Sequence, residues 1–449
     1  MMRSRRGLLC VCLAVAALSL SGCEFFESLD IFGGSSGNKR PLQGQRLPVL
    51  PEEHTAEVDS RLAGLSVVIP EAVANSSWPQ AGGNAAHNLH HLAASGLTVA
   101  WRTGVGTSSS RNGFISSSPI VVDGRVFVVD AEAAVSAYDA QNGRRLWRFG
   151  TEPRDARSEG AGGGVAFDGG RIYVTSGFAQ VLALDPATGQ EMWRAGLTAP
   201  ARAGATVSEG RVYVLSVDNQ VNALDAATGR RLWSYSATAE NAGFYGNASP
   251  AAEGNVLIAA FSSGEIFALR GDTGRVLWSD ALTGLLRTDA ISALADIRGL
   301  PIIDRGQVMV VSNGGRMAAL ELRTGGRIWE REVGSRVHPW VAGDFVFVTT
   351  GDAQLVAMTR RDGRIRWAQQ LPQFLDEERR RNRIDWTGPV LAGGRLMVAG
   401  TNEELLAIDP ANGSIAARVA LPGPVRVSPV VAGGTIFVLT ESADLVALR

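Results

Sequence analysis

Three observations predict an all-β chain folded as an eight-bladed β-propeller of four-stranded antiparallel blades: a recurring turn, a recurring hairpin, and a leftover strand at the start that completes the last blade. The turn is Asp-x-x-x-Gly-x-x-x-Trp. It appears as Asp139, Gly143 and Trp147, then as Asp185, Gly189 and Trp193, then as Asp225, Gly229 and Trp233. Trp101, Trp278, Trp329 and Trp367 hold the same place, and the mean interval of roughly 44 residues is the length of one four-stranded blade. In later copies Asp drifts while Gly stays, as at Gly274, Gly325 and Gly363. One further copy keeps Asp409 and Gly413 but has Ala417 in the Trp position.

Each block also carries an earlier hairpin. Pro119-Ile-Val-Val-Asp-Gly124-Arg-Val-Phe-Val-Val129 places Asp-Gly between alternating apolar residues, a strong two-residue hairpin signal. Gly169-Gly170, Glu209-Gly210, Gly343-Asp344, Gly393-Gly394 and Gly433-Gly434 occupy the same place. Two hairpins give four strands, hence one blade. The ends set the count: residues 97–104 form an outer strand with no blade before it, and the last residues supply three strands and stop. Pairing the N-terminal strand with the C-terminal blade closes the circle and leaves no open end.

Within the turn, Asp accepts backbone N–H bonds at the first corner and Gly takes the positive-φ corner. Trp then fills the gap between blades, where a buried indole removes roughly 150–250 Å² from water. Trp101, Trp147, Trp193, Trp233, Trp278, Trp329 and Trp367 are therefore read as scaffold residues.

Ahead of the repeats the chain begins with Arg3, Arg5 and Arg6 and an apolar run over residues 7–20, too short to span a bilayer comfortably. Leu20-Ser21-Gly22-Cys23 resembles a bacterial lipoprotein processing box, so residues 1–22 are expected to be a signal peptide and Cys23 the lipidated first residue. The other two cysteines, Cys10 and Cys12, fall inside that signal, which leaves the mature chain no thiol for a disulfide, a zinc site or a nucleophile. Cleavage takes the formal charge from −1 to −4, against the basic surface that nucleic-acid binding needs. Residues 23–73, rich in Gly, Ser, Pro and charge, read as a flexible tether. The propeller is placed at 74–449.

Chemistry-bearing motifs are scarce. No nucleophile elbow, zinc-helix motif or phosphate loop appears, and residues 160–164 resemble a phosphate loop in composition alone. His54 lies in the tether, and His338 lies between blades. His87-x-x-His90-His91 has no third ligand near it, so it reads as a solvated loop cluster rather than a metal site. No catalytic, metal or cofactor residues are assigned. Two insertions break the blade rhythm, at residues 282–300 and 371–386. The second reads as a solvated loop whose Asp376/Arg380 and Glu377/Arg381 spacing supports one short helical turn. Loops on a rigid scaffold favour protein binding over catalysis.

Taken together, the lipobox ending in Cys23, the segment Pro41-Leu-Gln-Gly-Gln-Arg-Leu-Pro-Val-Leu50, Trp78-Pro-Gln, the quinoprotein-type repeats and Asp296-Ile297 ahead of Pro301 resemble the BamB family of outer-membrane protein assembly lipoproteins. The resemblance implies a non-enzymatic scaffold, lipid-anchored in the bacterial outer membrane and facing the periplasm. It implies docking on the periplasmic domains of the barrel-forming subunit, and contact with unfolded outer-membrane protein clients. It also places partner contacts in the loops of blades 3 to 5. Asp296 matches the first acid of the family's Asp-x-Asp; Arg298 stands where the second acid would be. Phe244 and Tyr245 stand where the family has a Leu-Arg pair. The alternatives are a quinone-dependent (PQQ) dehydrogenase and a cell-wall-binding lipoprotein propeller.

Overall fold

Short runs of alternating β-formers build eight four-stranded antiparallel sheets. The computed structural model describes residues 56–111, 113–153, 162–201, 203–238, 248–282 and 296–449. Blades 1 to 7 occupy residues 120–149, 163–196, 206–236, 251–281, 302–331, 340–370 and 386–420. Blade 8 takes three strands from residues 430–448 and its fourth from Val99–Gly104, which pairs with Asp444–Leu448 through Trp101↔Ala447 and Thr103↔Leu445. Most innermost strands are three residues long, and several, such as Ile120–Val122 and Trp340–Ala342, are buried throughout. Outer strands such as Arg145–Phe149 are half-exposed. Among the described residues the helical content is two single 3-10 turns. The expected all-β propeller is what the chain forms.

A three-residue row across each blade explains the periodic Trp. In blade 1 Phe127 pairs with Ala137, which pairs with Trp147. Blade 2 repeats it as Tyr173, Ala183 and Trp193, and blade 3 as Tyr213, Ala223 and Trp233. Because the middle residue is Ala, the flanking aromatic rings meet over it. Their centroids lie 5.8 Å apart for Phe127–Trp147 and 6.0 Å for Tyr173–Trp193, in the tilted geometry that aromatic quadrupoles favour.

The indole then reaches the next blade. Trp147 Nε1 donates to the Pro186 carbonyl at 3.1 Å, and a Cβ on Gly189 would sit 2.6 Å from that ring. Trp329 likewise donates to the Arg360 carbonyl at 2.8 Å and lies against Gly363. So the turn glycine has two jobs: it holds positive φ, and it leaves room for the preceding blade's Trp. Asp185 fixes the turn from within, accepting from the N–H groups of Ala187 and Thr188 at 2.9 and 2.8 Å. Thr188, by its backbone N–H and then its hydroxyl, holds the Asp185 carboxyl below its usual range.

The missing Trp has a matching reason. Ala417 ends its row opposite Ala407 in blade 7, and the neighbouring blade 8 has no Asp-Gly turn, because its third and fourth strands are the last and the first strands of the propeller. Where a turn would be, Thr98 and Arg449 exchange backbone hydrogen bonds at 3.0 and 2.8 Å. With no turn to cap, an indole there has no partner.

Residues 75–95 form a belt round one end of the axis and touch all eight blades in order. Asn75 accepts from Gly433 of blade 8, Trp78 exchanges two backbone bonds with Val121 of blade 1, and Pro79 accepts from Phe167 of blade 2. The Gln80 amide brackets Val207 of blade 3 at 2.9 and 2.8 Å. Ala85 and Ala86 accept from Ala252 of blade 4 and Ile303 of blade 5, and the His90 carbonyl accepts from the Trp340 indole of blade 6 at 2.6 Å. Leu92 bridges Leu391 and Gly393 of blade 7, and Ser95 donates to Gly434, back at blade 8.

Residues 56–73, assigned from sequence to the tether, run along blade 6. Asp59 N–H donates to the Ile365 carbonyl at 2.9 Å, and the Arg366 guanidinium holds the carbonyls of Leu65 and Ala63 at 2.6 and 2.9 Å.

Candidate binding face

The described residues of the connections from one blade's outer strand to the next blade's inner strand lie at the end of the ring away from the belt. There the connections surround an axial cavity of about 180 Å³ whose base is formed by belt residues Trp78, Ala81 and Gly82. Among the described residues its charged lining is Arg298, Arg336, Arg426 and Asp385, and Trp386 and His338 add ring surface.

The charges are organised round one carboxylate. Asp385 is engaged by Arg426 and lies 3.7 Å from Arg336. Arg426 also holds Glu441 at 2.9 Å, and Arg336 donates to Asn313 Oδ1 at 3.2 Å. Burial pulls the Arg426 guanidinium down, but the Glu441 and Asp385 carboxylates outweigh it and raise its pKa, so it stays charged.

The histidine cluster differs from the solvated loop expected. His87 is buried, with Nδ1 2.7 Å from the Pro301 carbonyl. His91 is also buried: Nδ1 lies 2.7 Å from the Pro70 carbonyl and Nε2 accepts from Gly394 N–H at 2.9 Å. His90 Nε2 is 3.1 Å from Asp304, which also pairs with Arg360 at 3.0 Å. These rings serve the belt, and each points to a different neighbour. Sequence misplaced them because the belt's burial depends on distant inner strands. Among the described residues no group of three or more His, Cys, Asp or Glu is placed to hold a metal ion. Burial drives the pKa of both His87 and His338 down to about 4, and the charge on His87 adds to the shift at His338. Both rings are therefore neutral at neutral pH.

The 371–386 insertion is a β-hairpin, not a helical turn. Phe374–Asp376 pairs with Arg381–Arg383 through Phe374↔Arg383 and Asp376↔Arg381. The reason lies in what the acids bind. The Glu377 carboxylate takes the N–H groups of Gln373 and Phe374 at 2.9 and 3.1 Å, and Asp376 pairs with Arg379 at 3.2 Å instead of with Arg380. Arg380 turns back over the Phe374 ring at 5.5 Å. Arg383 ties the hairpin to the cavity rim through the Gly351 carbonyl at 2.6 Å.

Of the partner-contact candidates, Asp296 is 1% exposed and its carbonyl accepts from Asn313 N–H, so it lies in the wall of blade 5. A carboxylate so covered offers a partner little surface; Arg298 is half-buried and lines the cavity. Phe244, Tyr245, Cys23 and most of the 282–300 insertion lie outside the described residues. The seven Trp residues all sit on outer strands within the scaffold. Sequence reading missed Arg336, Asp385 and Arg426, whose signal is an ionisable residue in the connection just ahead of an inner strand. Among the described residues no helix is long and apolar enough to cross a membrane.

Comparison with known proteins adds three findings. The profile of the family described as "Outer membrane protein assembly factor BamB" matches residues 82–161, 135–369 and 376–449. A relative of that name from Alkalilimnicola ehrlichii is 37% identical over 350 residues, 77% of this chain and 86% of its own. Among solved structures, BamB from Moraxella catarrhalis aligns with TM-score 0.63 at 19% identity, covering 78% of this chain and 99% of that one. Quinohemoprotein alcohol dehydrogenase from Comamonas testosteroni aligns with TM-score 0.62 at 15% identity, covering 87% and 82%. At those identities the structural likeness speaks for the fold alone.

Proposed function

The chain belongs to the outer membrane protein assembly factor BamB family, and from that premise we propose that it is a non-enzymatic scaffold lipoprotein of the outer-membrane β-barrel assembly machinery. The observation that carries this reading is the extent of the match, which runs from the belt through the last blade and includes a relative 37% identical over most of both chains. The named relatives are assembly factors, which supports a scaffold over the dehydrogenase alternative.

In this reading residues 1–22 are removed, Cys23 carries lipid, and residues from 23 onward tether the ring to the outer membrane on its periplasmic side. The ring docks on periplasmic domains of the barrel-forming subunit and assists folding and insertion of unfolded outer-membrane clients. The architecture suits that work. Eight sheets, stapled by indoles at all but one seam and belted at one end, give the connections at the other end a rigid base, which lowers the ordering cost of binding.

Two results are expected. Cys23→Ser removes the thiol that accepts lipid, so the protein leaves the membrane pellet or stays unprocessed on fractionation. Unchanged sedimentation with the membranes would remove the lipid anchor from the reading. Separately, affinity capture of the full chain recovers the barrel-forming subunit, and Arg298→Glu or Phe244→Ala lowers that recovery about tenfold, the effect of losing one interface anchor. Failure of the unaltered chain to recover the subunit sinks the docking reading. Full recovery by both variants removes those two residues from the contact.

A further inference from the structure

We propose that the axial cavity is a binding site for a carboxylate that carries a small apolar body. Among the described residues the charged side chains lining it are three guanidinium groups, Arg298, Arg336 and Arg426, against the carboxylate of Asp385, with Glu441 held behind Arg426. The Asp385 carboxylate is already shared between Arg336 and Arg426. A cleft lined with an excess of one sign concentrates the opposite charge at its mouth. Guanidinium forks match carboxylates in a planar, two-pronged geometry. The side chains of Arg336 and Arg426 are about half-exposed, so their remaining N–H groups are open to a ligand.

The rest of the lining selects what the anion is attached to. Trp78, Trp386, Leu300, Val337, Ile384 and Val425 give it apolar walls, interleaved with Ser and Thr residues such as Ser118, Thr350 and Thr387. Inorganic phosphate, small and strongly hydrated, leaves those walls uncovered, whereas an organic acid covers them. The indole Nε1 of Trp78 and Nε2 of His338 are buried and lack hydrogen-bond partners, so the polar groups at this end of the axis are not all satisfied from within the protein. At about 180 Å³ the space fits a group the size of one amino-acid residue. Two sources share this chemistry: a free organic acid, and the carboxylate at the end of a polypeptide chain. The inference shares Arg298 with the assembly reading, but its test rests on Arg336 and Arg426 in the isolated chain.

The test is calorimetric titration of the isolated full-length protein with N-acetyl-leucine and, as the charge-free control, N-acetyl-leucinamide. The acid is expected to bind at least about tenfold more tightly than the amide, and Arg336→Gln or Arg426→Gln to weaken it several-fold. Arg336 is the safer variant for folding, since it is exposed and bonded only at the rim; its thermal unfolding midpoint is measured alongside. A hexapeptide ending in leucine, with a free or an amidated C-terminus, separates the sources. Preference for the free-ended peptide over N-acetyl-leucine assigns the site to chain ends, and the reverse assigns it to small acids. Equal binding of acid and amide, no heat from either, or binding indifferent to both arginine substitutions overturns the proposal. None of these outcomes depends on capture of the barrel-forming subunit.

Discussion

Trp329→Ala is expected to lower the stability of the propeller by about 3–5 kcal/mol, the usual cost of truncating a buried Trp. The substitution empties a site that is 6% exposed, deletes the indole bond to the Arg360 carbonyl at 2.8 Å and uncovers the face of Gly363. The reciprocal change separates the contributions. Gly363→Ala places a Cβ 2.6 Å from the Trp329 ring at a φ of +65°, so backbone strain and overpacking act together. Gly394→Ala has a φ of +72° but meets nothing within 4 Å, so strain acts alone. Strain alone costs about 1–2 kcal/mol, and overpacking adds about 1–3 kcal/mol. Chemical denaturation of the three variants reads the difference. A Gly363→Ala no worse than Gly394→Ala would show that the indole yields to the methyl, and the staple would then be soft.

Acid is the second large lever. His87 and His338 have pKa values near 4 in the folded protein against 6.5 for the ordinary group, because burial penalises the imidazolium. The unfolded chain takes up a proton first as pH falls. The stability conferred by each neutral ring is therefore complete above pH 6.5 and lost as pH falls toward 4. For a shift of this size the loss at pH 4 relative to pH 7 is about 3 kcal/mol per histidine. His338→Leu keeps the volume apolar and removes one titration, so its stability should fall less steeply between pH 7 and 4.5 than that of the unaltered chain. Parallel profiles would mean that His338 protonates in place, with water admitted from the cavity. Asp304 contributes with the same sign: burial pushes its carboxyl up, but His90 and Arg360 outweigh that and hold it below the usual range. The His338 comparison isolates the ring from that background.

How much of this was readable in advance depended on whether a residue's role repeats. Trp147, Trp193 and Trp233 announce themselves because each blade needs the same staple, and spacing alone located the blades. The Ala in the middle of each row was equally periodic, and a Phe or Tyr stands beyond it in several blades, as at Phe127 and Tyr173, but their meaning required the cross-strand register. The belt was silent. It meets seven blades once each and blade 8 at both of its own ends, mostly through backbone groups, so residues 75–95 carry no periodicity, and their histidines looked like loop residues. The binding face was legible only in part. Arg298 was found by resemblance, but Arg336 and Arg426 stand in connections of different lengths and are joined only by closure of the ring. The hairpin at 374–383 was misread because charge spacing along a chain does not reveal that Glu377 spends its carboxylate on backbone N–H groups.

The belt also bears on when this protein acquires its shape. A chain made from its N-terminus presents the start of the belt and residues 99–104 long before their partners exist, since Asn75 bonds to Val431 and Val99 pairs with Leu448. Contacts of such sequence separation demand large loop closures, which slow the final step more than they weaken the finished fold. Until the last strands arrive the first one has nothing to pair with. The molecule thus carries its own delay, staying open until the strand at the start of the ring meets the last blade.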